Sequence, residues 1–205
     1  MARLAGSDGK TTALAILKQS RKLIARHGYA AVSMRMIAEA VGVQAGALYQ
    51  YHSTKQQLLV SLMRDHMEKL LEAWQKEVNA QDSPAQELVR FVHFHIRYNI
   101  TRPDEIFIAY MELRALEPEG FKLIEKLRGE YETILKTIIS RGMKQGQFDC
   151  EDAHVGTMAI LAMLTGVNTW YRSGGRLSQS KIQDMYAKMI LRSVGCKEPN
   201  RRLPT

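Results

Sequence analysis

The stretch Ser33–Leu58, which reads SMRMIAEAVGVQAGALYQYHSTKQQL, decides the fold. Ser33 is a good N-cap for a short helix, and Gly42 lacks a Cβ, so it can take the left-handed conformation of a tight turn. A second short helix is predicted over about Gln44–Tyr49. The residues expected to form a small core between these helices are Ile37, Ala38, Val41, Val43 and Leu48. This pattern predicts a helix-turn-helix.

The residues on either side extend the hairpin into a three-helix module. A helix is predicted from about Thr11 to His27, with Gly28 as its C-terminal stop. After the hairpin, Ser53 followed three positions later by Gln56 has the pattern of a capping box and opens a long helix. We expect that helix to reach Gln81.

The rest of the chain repeats apolar residues at helical spacing, and no stretch of alternating β-branched residues indicates a sheet. Pro118 and Gly120 predict a break in the chain. The further predicted helices begin at Pro84, after a capping box formed by Ser83 and Gln86, and at Pro103, and then cover about 121–145, 151–172 and 178–195. The predicted class is all-α with about nine helices, divided into an N-terminal helix-turn-helix domain (1–55), a C-terminal helical domain (56–196) and a polar tail (197–205).

Positive charge is concentrated in the N-terminal part. The chain has 29 Lys and Arg against 21 Asp and Glu, a formal net charge of +8. Residues 1–60 hold eight of the bases and two of the acids, and so +6 of that total. A polyanionic partner requires basic groups gathered on one face, so the charge and the hairpin together predict binding to double-stranded DNA. The alternative is an unusually basic solvated face.

Composition limits the classes of protein to which the chain can belong. The hydrophobic share of 45% and the charged share of 24% are typical of a globular chain. Cys150 and Cys196 lie far apart without zinc-ligand spacing, so we expect no disulfide framework, metal site or cofactor. The first twenty residues lack the apolar core of a signal peptide, and no window is apolar enough to span a membrane. A cytoplasmic protein is expected.

An enzyme and a pure protein-interaction bundle are the alternatives from other function classes. Six histidines supply possible bases, but His93 and His95 stand two apart on a predicted helix and face different ways. No GxSxG, HExxH or Gly-rich phosphate loop occurs. An interaction bundle leaves the basic N-terminal module unexplained, and only a DNA-binding protein must lose DNA affinity steeply as salt rises. We expect a regulator and not an enzyme.

The predicted recognition helix offers few side chains for reading bases. Gln44 can pair with adenine, and Ala45 can contact a thymine methyl group. Arg35 can reach a phosphate or a guanine, whereas Tyr49, Tyr51 and Lys55 are expected to contact phosphates. The predicted DNA-binding set is Ser33, Arg35, Gln44, Ala45, Gly46, Tyr49, Tyr51, His52 and Lys55. For each of them the alternative is an ordinary solvated side chain.

The module resembles the N-terminal domain of TetR-family regulators from Thr11 to about Leu62. The residues that carry the resemblance are Ser33, Arg35, Ile37, Ala38, Gly42, Val43, Gly46, Leu48, Tyr49, Lys55 and Leu58. It implies a homodimer that binds a palindromic operator with half-sites ~34 to 36 Å apart, most often as a repressor. Val41, Gln44 and His52 depart from the usual Ala, Ser and Phe, so no operator sequence can be taken over from relatives.

The same resemblance implies a pocket for a small effector in the larger domain. Its helices are rich in Met and aromatic residues, which line adaptable pockets, although plain core is the alternative for each residue. Effector binding would move the long helix after Lys55 and so change the separation of two recognition helices. The predicted pocket residues are Phe91, Phe94, Tyr98, Phe107, Tyr110, Met111, Arg114, Met163 and Trp170.

The segment Trp170–Ser178, WYRSGGRLS, is similar to a motif between the last two helices of TetR relatives that respond to acyl-coenzyme A. A helix C-cap, a turn and an N-cap explain its glycines and Ser178 without any ligand, and we prefer this interpretation for the turn itself. The expected effector is an acyl-coenzyme A thioester or another hydrophobic or aromatic metabolite. Cations available for its phosphates are Arg97, Arg102, Arg114, Arg128 and Arg172. The apolar faces of the last two helices predict a four-helix dimer interface of Val155, Met158, Ala159, Ala162, Met185 and Met189.

Overall fold

The computed structural model describes residues 9–196, so the polar tail predicted over 197–205 lies outside the described residues. Within them the chain is helical and has no strand, which confirms the all-α class and the expected helix count. None of the helices in this range is long and apolar enough to cross a membrane. They are α1 (Gly9–His27), α2 (Met34–Val41), α3 (Ala45–Tyr51), α4 (Lys55–Gln75), α5 (Pro84–Ile100), α6 (Pro103–Met111), a 3-10 turn (Leu113–Ala115), α7 (Pro118–Lys144), α8 (Ala153–Trp170) and α9 (Gln179–Ser193).

The predicted cap of α4 is displaced by one residue. Thr54 and not Ser53 is the N-cap, because the Thr54 hydroxyl oxygen accepts the N–H of Gln57 at 3.0 Å. The Gln57 side chain then accepts from the backbone N–H of Ser53 at 3.1 Å. Gln56 takes no part in the cap, and its amide is used elsewhere in the fold.

Helix α4 also ends earlier than the sequence predicts. The helix stops at Gln75 and does not reach Gln81. Beyond Trp74, which is buried, the next apolar side chain is Val78, and it is 49% exposed. Since helices in proteins are held mainly by burial of an apolar face, nothing stabilises another turn here. The segment instead turns, with Asn79 accepting the N–H of Gln81 at 3.1 Å.

Helix α7 begins at Pro118 and not at the predicted Phe121, so Gly120 lies inside the helix. Pro118 does not break a helix but stands first in α7, where its missing N–H costs nothing. Gly142 lies inside α7, and the ring of Phe148 occupies the space that a Cβ on Gly142 would need. Gly146, at φ +68°, follows the helix end in the left-handed conformation.

The chain folds as two compact units. The first unit comprises the described residues up to Met67 together with Asp104–Glu125, and the second comprises Glu68–Pro103 and the described residues from Lys126 on. In the first unit α2 packs against α1 and α3. Its fully buried apolar side chains include Ile16, Ile24, Ile37, Leu48 and Leu58.

The second unit is built around α5, which packs against both α8 and α9. The start of α5 has the predicted capping box, in which the Ser83 hydroxyl accepts from the Gln86 N–H and the Gln86 side chain accepts from the Ser83 N–H. Ser178 caps α9 as predicted. The deeply buried side chains of this unit include Leu88, Phe91, Ile96, Leu135, Leu164 and Ile190.

Candidate functional site

The helices α2 and α3 form the predicted hairpin. The Ser33 hydroxyl caps α2 by accepting the N–H of Met36 at 3.2 Å. Gly42 ends the helix at φ +80°, a left-handed conformation that a residue with a Cβ adopts at a cost, and its N–H bonds to the carbonyls of Ala38 and Glu39. The tight turn brings α3 back onto α2, where Leu48 is fully buried. The opposite side of α3 is consequently left open.

The open side of α3 carries the predicted base-reading residues. Gln44 is its N-cap, but its side chain makes no capping hydrogen bond, and both Gln44 and Ala45 are exposed. No atom lies within 4 Å of the place a Cβ on Gly46 would take, so this face can approach a flat partner closely. Tyr49 is 49% exposed. Arg35 and Tyr51 are exposed as well.

Lys55 is held by a partner that the sequence did not reveal. Its Nζ lies 4.0 Å from the centroid of the Tyr29 ring and 3.4 Å from the Ala30 carbonyl oxygen. This cation–π contact fixes the ammonium at the first residue of α4, the position expected for a phosphate contact. Burial lowers the pKa of Lys55, and Glu112 opposes that shift. Tyr29 lies 26 positions away in sequence, and no local pattern links it to Lys55.

His52 lies at the C-cap of α3 and is half-buried. Its backbone N–H donates to the Leu48 carbonyl at 3.1 Å. Burial lowers the pKa of its imidazole and so favours the neutral ring. A neutral ring offers a phosphate at most one hydrogen bond and no charge.

Three contacts join the α1–α4 part of the first unit to its Asp104–Glu125 segment. Arg21 pairs with Glu105 at 2.6 Å, and a carboxylate oxygen of Glu112 accepts the N–H of Tyr29 at 2.9 Å. Gln56 is the third contact: its amide donates to the Ala115 carbonyl at 2.8 Å, and its side-chain oxygen accepts the N–H of Glu117 at 3.2 Å. The sequence does not predict this contact, because no local pattern at Gln56 or at Ala115 and Glu117 indicates that these residues meet.

The predicted pocket residues fall into three groups. Phe91, Phe94 and Tyr98 are buried on α5 in the second unit; the Phe94 and Tyr98 rings lie 5.5 Å apart, and both phenylalanine rings contact Trp74. Met163 is half-buried and Trp170 is exposed on α8. The members of the first unit, on α6 and the turn after it, are Phe107, Tyr110, Met111 and Arg114, of which only Phe107 is not exposed.

The predicted acyl-coenzyme A motif forms a cleft of about 320 Å³ at the turn between α8 and α9. Trp170 stands at its edge and stacks on Tyr186, with ring centroids 6.4 Å apart. Arg172 and Arg176 are both exposed, and the Arg172 guanidinium bonds to the Tyr171 carbonyl at 2.8 Å. The lining residues are Trp170, Tyr171, Arg172, Gly175, Arg176, Leu177 and Ile182. The cleft therefore combines aromatic surface with two cations, of which Arg176 was not among the cations named from sequence.

The six predicted dimer residues are all exposed. Val155, Met158, Ala159 and Ala162 follow one face of α8, and Met185 and Met189 stand one helical turn apart on α9. The opposite faces of these helices are buried, with Leu164 and Ile190 inaccessible to solvent. Exposed Met and Val side chains in this number on neighbouring helices are typical of an association surface.

Comparison with known proteins finds a matching family model for each of two parts of the chain. Residues 16–62 match the family described as "Bacterial regulatory proteins, tetR family", and residues 81–194 match "Tetracyclin repressor-like, C-terminal domain". The transcriptional repressor KstR2 of Mycolicibacterium smegmatis is 24% identical over 182 residues, which cover 87% of this chain and 88% of KstR2. The fatty acid metabolism regulator protein of Bacillus subtilis is 23% identical over 181 residues, 87% of this chain and 93% of that protein. The structure of AibR in complex with isovaleryl coenzyme A and operator DNA has a TM-score of 0.77 and 26% identity, and the match covers 90% of this chain and 99% of AibR.

Proposed function

The chain belongs to the TetR family of transcriptional repressors and not to an enzyme family, and on that premise we propose that it binds a palindromic operator as a homodimer and is released by an acyl-coenzyme A thioester. The exposed face of α3, with Lys55 fixed beside it, is the observation that carries the DNA-binding part. Gln44 and Ala45 face the bases in this proposal, while Tyr49, Tyr51 and Lys55 hold the phosphates. Arg35 and Ser33 complete the contact at the start of α2.

The proposed dimer uses the exposed stripe on α8 and α9. Two copies of this stripe form a four-helix interface in which each apolar face is self-complementary about a two-fold axis. Two linked recognition helices reach successive major grooves only at one separation, ~34 to 36 Å. Release follows when the effector binds more tightly to a conformation in which the two helices are too far apart.

The cleft at the α8–α9 turn supports the choice of effector. Coenzyme A carries phosphates and an adenine ring, and the cleft offers the cations Arg172 and Arg176 beside the Trp170 ring. The similarity to AibR, whose structure holds isovaleryl coenzyme A, favours the same class of ligand. The acyl group would then extend toward buried aromatic side chains of the second unit, such as Phe94 and Tyr98.

The test begins with an operator selected from random duplex DNA by the full chain. Fluorescence anisotropy of the complex is then followed while isovaleryl coenzyme A, a long-chain acyl-coenzyme A, free coenzyme A or the matching free acids are added. We expect release by a thioester and not by free coenzyme A. The double substitution Arg172→Ala/Arg176→Ala should weaken release by about tenfold or more while operator binding is retained. Arg192→Ala is the matched control, because this arginine is also exposed but lies on α9, outside the cleft. Release by a free acid without release by its thioester would contradict a thioester effector.

A further inference from the structure

A chain of three buried polar groups runs through the aromatic core of the second unit. His95 Nδ1 lies 3.0 Å from the hydroxyl oxygen of Tyr131, and His95 Nε2 lies 2.7 Å from Nδ2 of Asn99. His95 is 1% exposed, Asn99 2% and Tyr131 4%. In the arrangement in which the Asn99 NH2 group donates to Nε2, the imidazole carries its proton on Nδ1 and donates it to the Tyr131 hydroxyl oxygen.

The chain of hydrogen bonds ends on an unpaired acceptor. No donor among the described residues reaches Oδ1 of Asn99, although this oxygen is fully buried. A buried carbonyl without a partner is unfavourable, and such groups in native proteins call for a ligand or a water. Turning the amide over does not remove the problem: Oδ1 would accept from Nε2–H, and the NH2 group would be the unpaired end. Either arrangement leaves one amide group of Asn99 available.

The imidazole that is bonded to this amide lies among aromatic side chains. The Phe91 ring lies 5.3 Å from that of Tyr131 and 6.0 Å from the His95 imidazole, and the adjacent α5 residues Phe94 and Tyr98 are also paired. A ligand that enters such a region gains by being mostly hydrocarbon, with one polar group at the amide. A hydroxyl matches both arrangements of Asn99, because it can donate to Oδ1 or accept from Nδ2.

We propose that Asn99 recognises a hydroxyl group on the acyl chain of the effector, so that the protein responds to hydroxyacyl thioesters in preference to saturated ones. The inference rests on the proposed function, since it concerns the acyl part of the same ligand. His95 and Tyr131 act as positioning residues, because their hydrogen bonds fix the plane of the Asn99 amide. If a structural water satisfies Asn99, the protein has no reason to distinguish the two classes of thioester.

The experiment measures binding of acyl-coenzyme A thioesters of one chain length by isothermal titration calorimetry. The series consists of the saturated acyl chain and chains with a hydroxyl at successive carbons. One hydroxylated member should bind the unaltered protein roughly tenfold more tightly than the saturated member, the scale of one buried hydrogen bond. Asn99→Leu, of similar volume, should abolish this preference while the saturated thioester keeps its affinity. Thr157→Val, which removes a buried hydroxyl bonded to Ala153 on α8, should keep the preference.

Three results would overturn the inference and leave the proposed thioester effector in place. Equal binding of all members by the unaltered protein contradicts it whether or not Asn99→Leu folds. Persistence of the preference in Asn99→Leu shows that another group reads the hydroxyl. Equal loss of the preference in Thr157→Val shows that any buried polar deletion disturbs the site. If no thioester of either class binds or releases DNA, the proposed thioester effector fails together with this inference, whereas equal binding of both classes leaves the proposed function intact.

Discussion

The side-chain amide of Gln56 donates a hydrogen bond to the carbonyl oxygen of Ala115 over 2.8 Å. Gln56 stands at the beginning of α4, directly after the recognition helix and Lys55. Ala115 closes the 3-10 turn after α6, in the segment for which the sequence predicts the pocket residues Tyr110 and Arg114. We therefore expect a displacement of that turn to move the start of α4 through this short polar contact.

Replacing Gln56 with alanine should uncouple effector binding from DNA release. The substitution removes both hydrogen bonds of the contact, each worth about 1 kcal/mol, so the free energy of unfolding should also fall by about 1 to 2 kcal/mol. Operator affinity without effector should be largely retained. Gln57→Ala is the matched control, because the side chain of that neighbouring glutamine accepts from Ser53 and its backbone N–H donates to Thr54, both at the helix start. Normal release by the effector in Gln56→Ala would show that the contact transmits nothing.

Two glycine substitutions should have opposite effects on stability. Gly42→Ala places a Cβ in a left-handed conformation, φ +80°, and should lower the free energy of unfolding by about 1 kcal/mol or more. Gly129→Ala lies inside α7 with no atom within 4 Å of the new Cβ. It should raise stability by about 0.5 to 1 kcal/mol, since alanine is the better helix former. Chemical denaturation measures the change in the free energy of unfolding for each variant. A change of the same sign in both would contradict the assignment of a left-handed conformation to Gly42 and a helical one to Gly129.

The helix caps show how far the sequence predicts this fold. At α5 the Ser83–Gln86 capping box, and at α9 the single cap residue Ser178, stand directly before a helical pattern of apolar positions, so both caps could be assigned without a structure. At α4 two adjacent hydroxyl residues precede two adjacent glutamines, and both registers satisfy the capping pattern. Gln57 caps because Gln56 is held by Ala115 and Glu117, a contact between segments far apart in sequence.

The candidate site was predictable where it depends on local pattern. The exposed face of α3 follows from the position of Gly42 and the burial of Leu48, both of which are local features. The contact of Lys55 with Tyr29 and the chain from Tyr131 through His95 to Asn99 depend on packing between separate helices. Hydrophobic periodicity shows that such positions are buried, but it does not show which polar groups meet.

Charges placed on the α8–α9 stripe should produce a monomer. Met158→Glu with Met189→Glu introduces two carboxylates per copy into a surface that the proposed dimer desolvates. Light scattering should then give the mass of one chain, and operator affinity should fall by roughly two orders of magnitude, since the second half-site no longer binds as part of the same molecule. Val78→Glu alters an apolar residue that is 49% exposed outside the stripe and should remain dimeric. If Met158→Glu/Met189→Glu remains a dimer, the interface lies on another surface.

Stability should decrease below neutral pH through His93. Burial lowers the pKa of His93, with Asp184 opposing the shift and Arg97 adding to it. Because the folded pKa is then below that of the unfolded chain, the unfolded chain takes up the proton first, and the free energy of unfolding falls as the pH drops through about 6.5. Thermal unfolding at pH 7.5 and 5.5 should show a smaller difference for His93→Asn than for the unaltered protein. An equal difference would assign the pH dependence to other groups.

The proposal that α3 and Lys55 hold the operator is decided by the salt dependence of operator binding in Tyr49→Ala/Lys55→Ala. Fluorescence anisotropy across a series of KCl concentrations gives both the affinity and the slope of its logarithm against that of salt. We expect weaker binding and a slope reduced by about 1 for each phosphate that the variant no longer neutralises. Lys76→Ala, which removes an exposed cation paired with Glu72 of α4, should change neither quantity. An unaltered affinity and slope in Tyr49→Ala/Lys55→Ala would show that the operator is held by another surface.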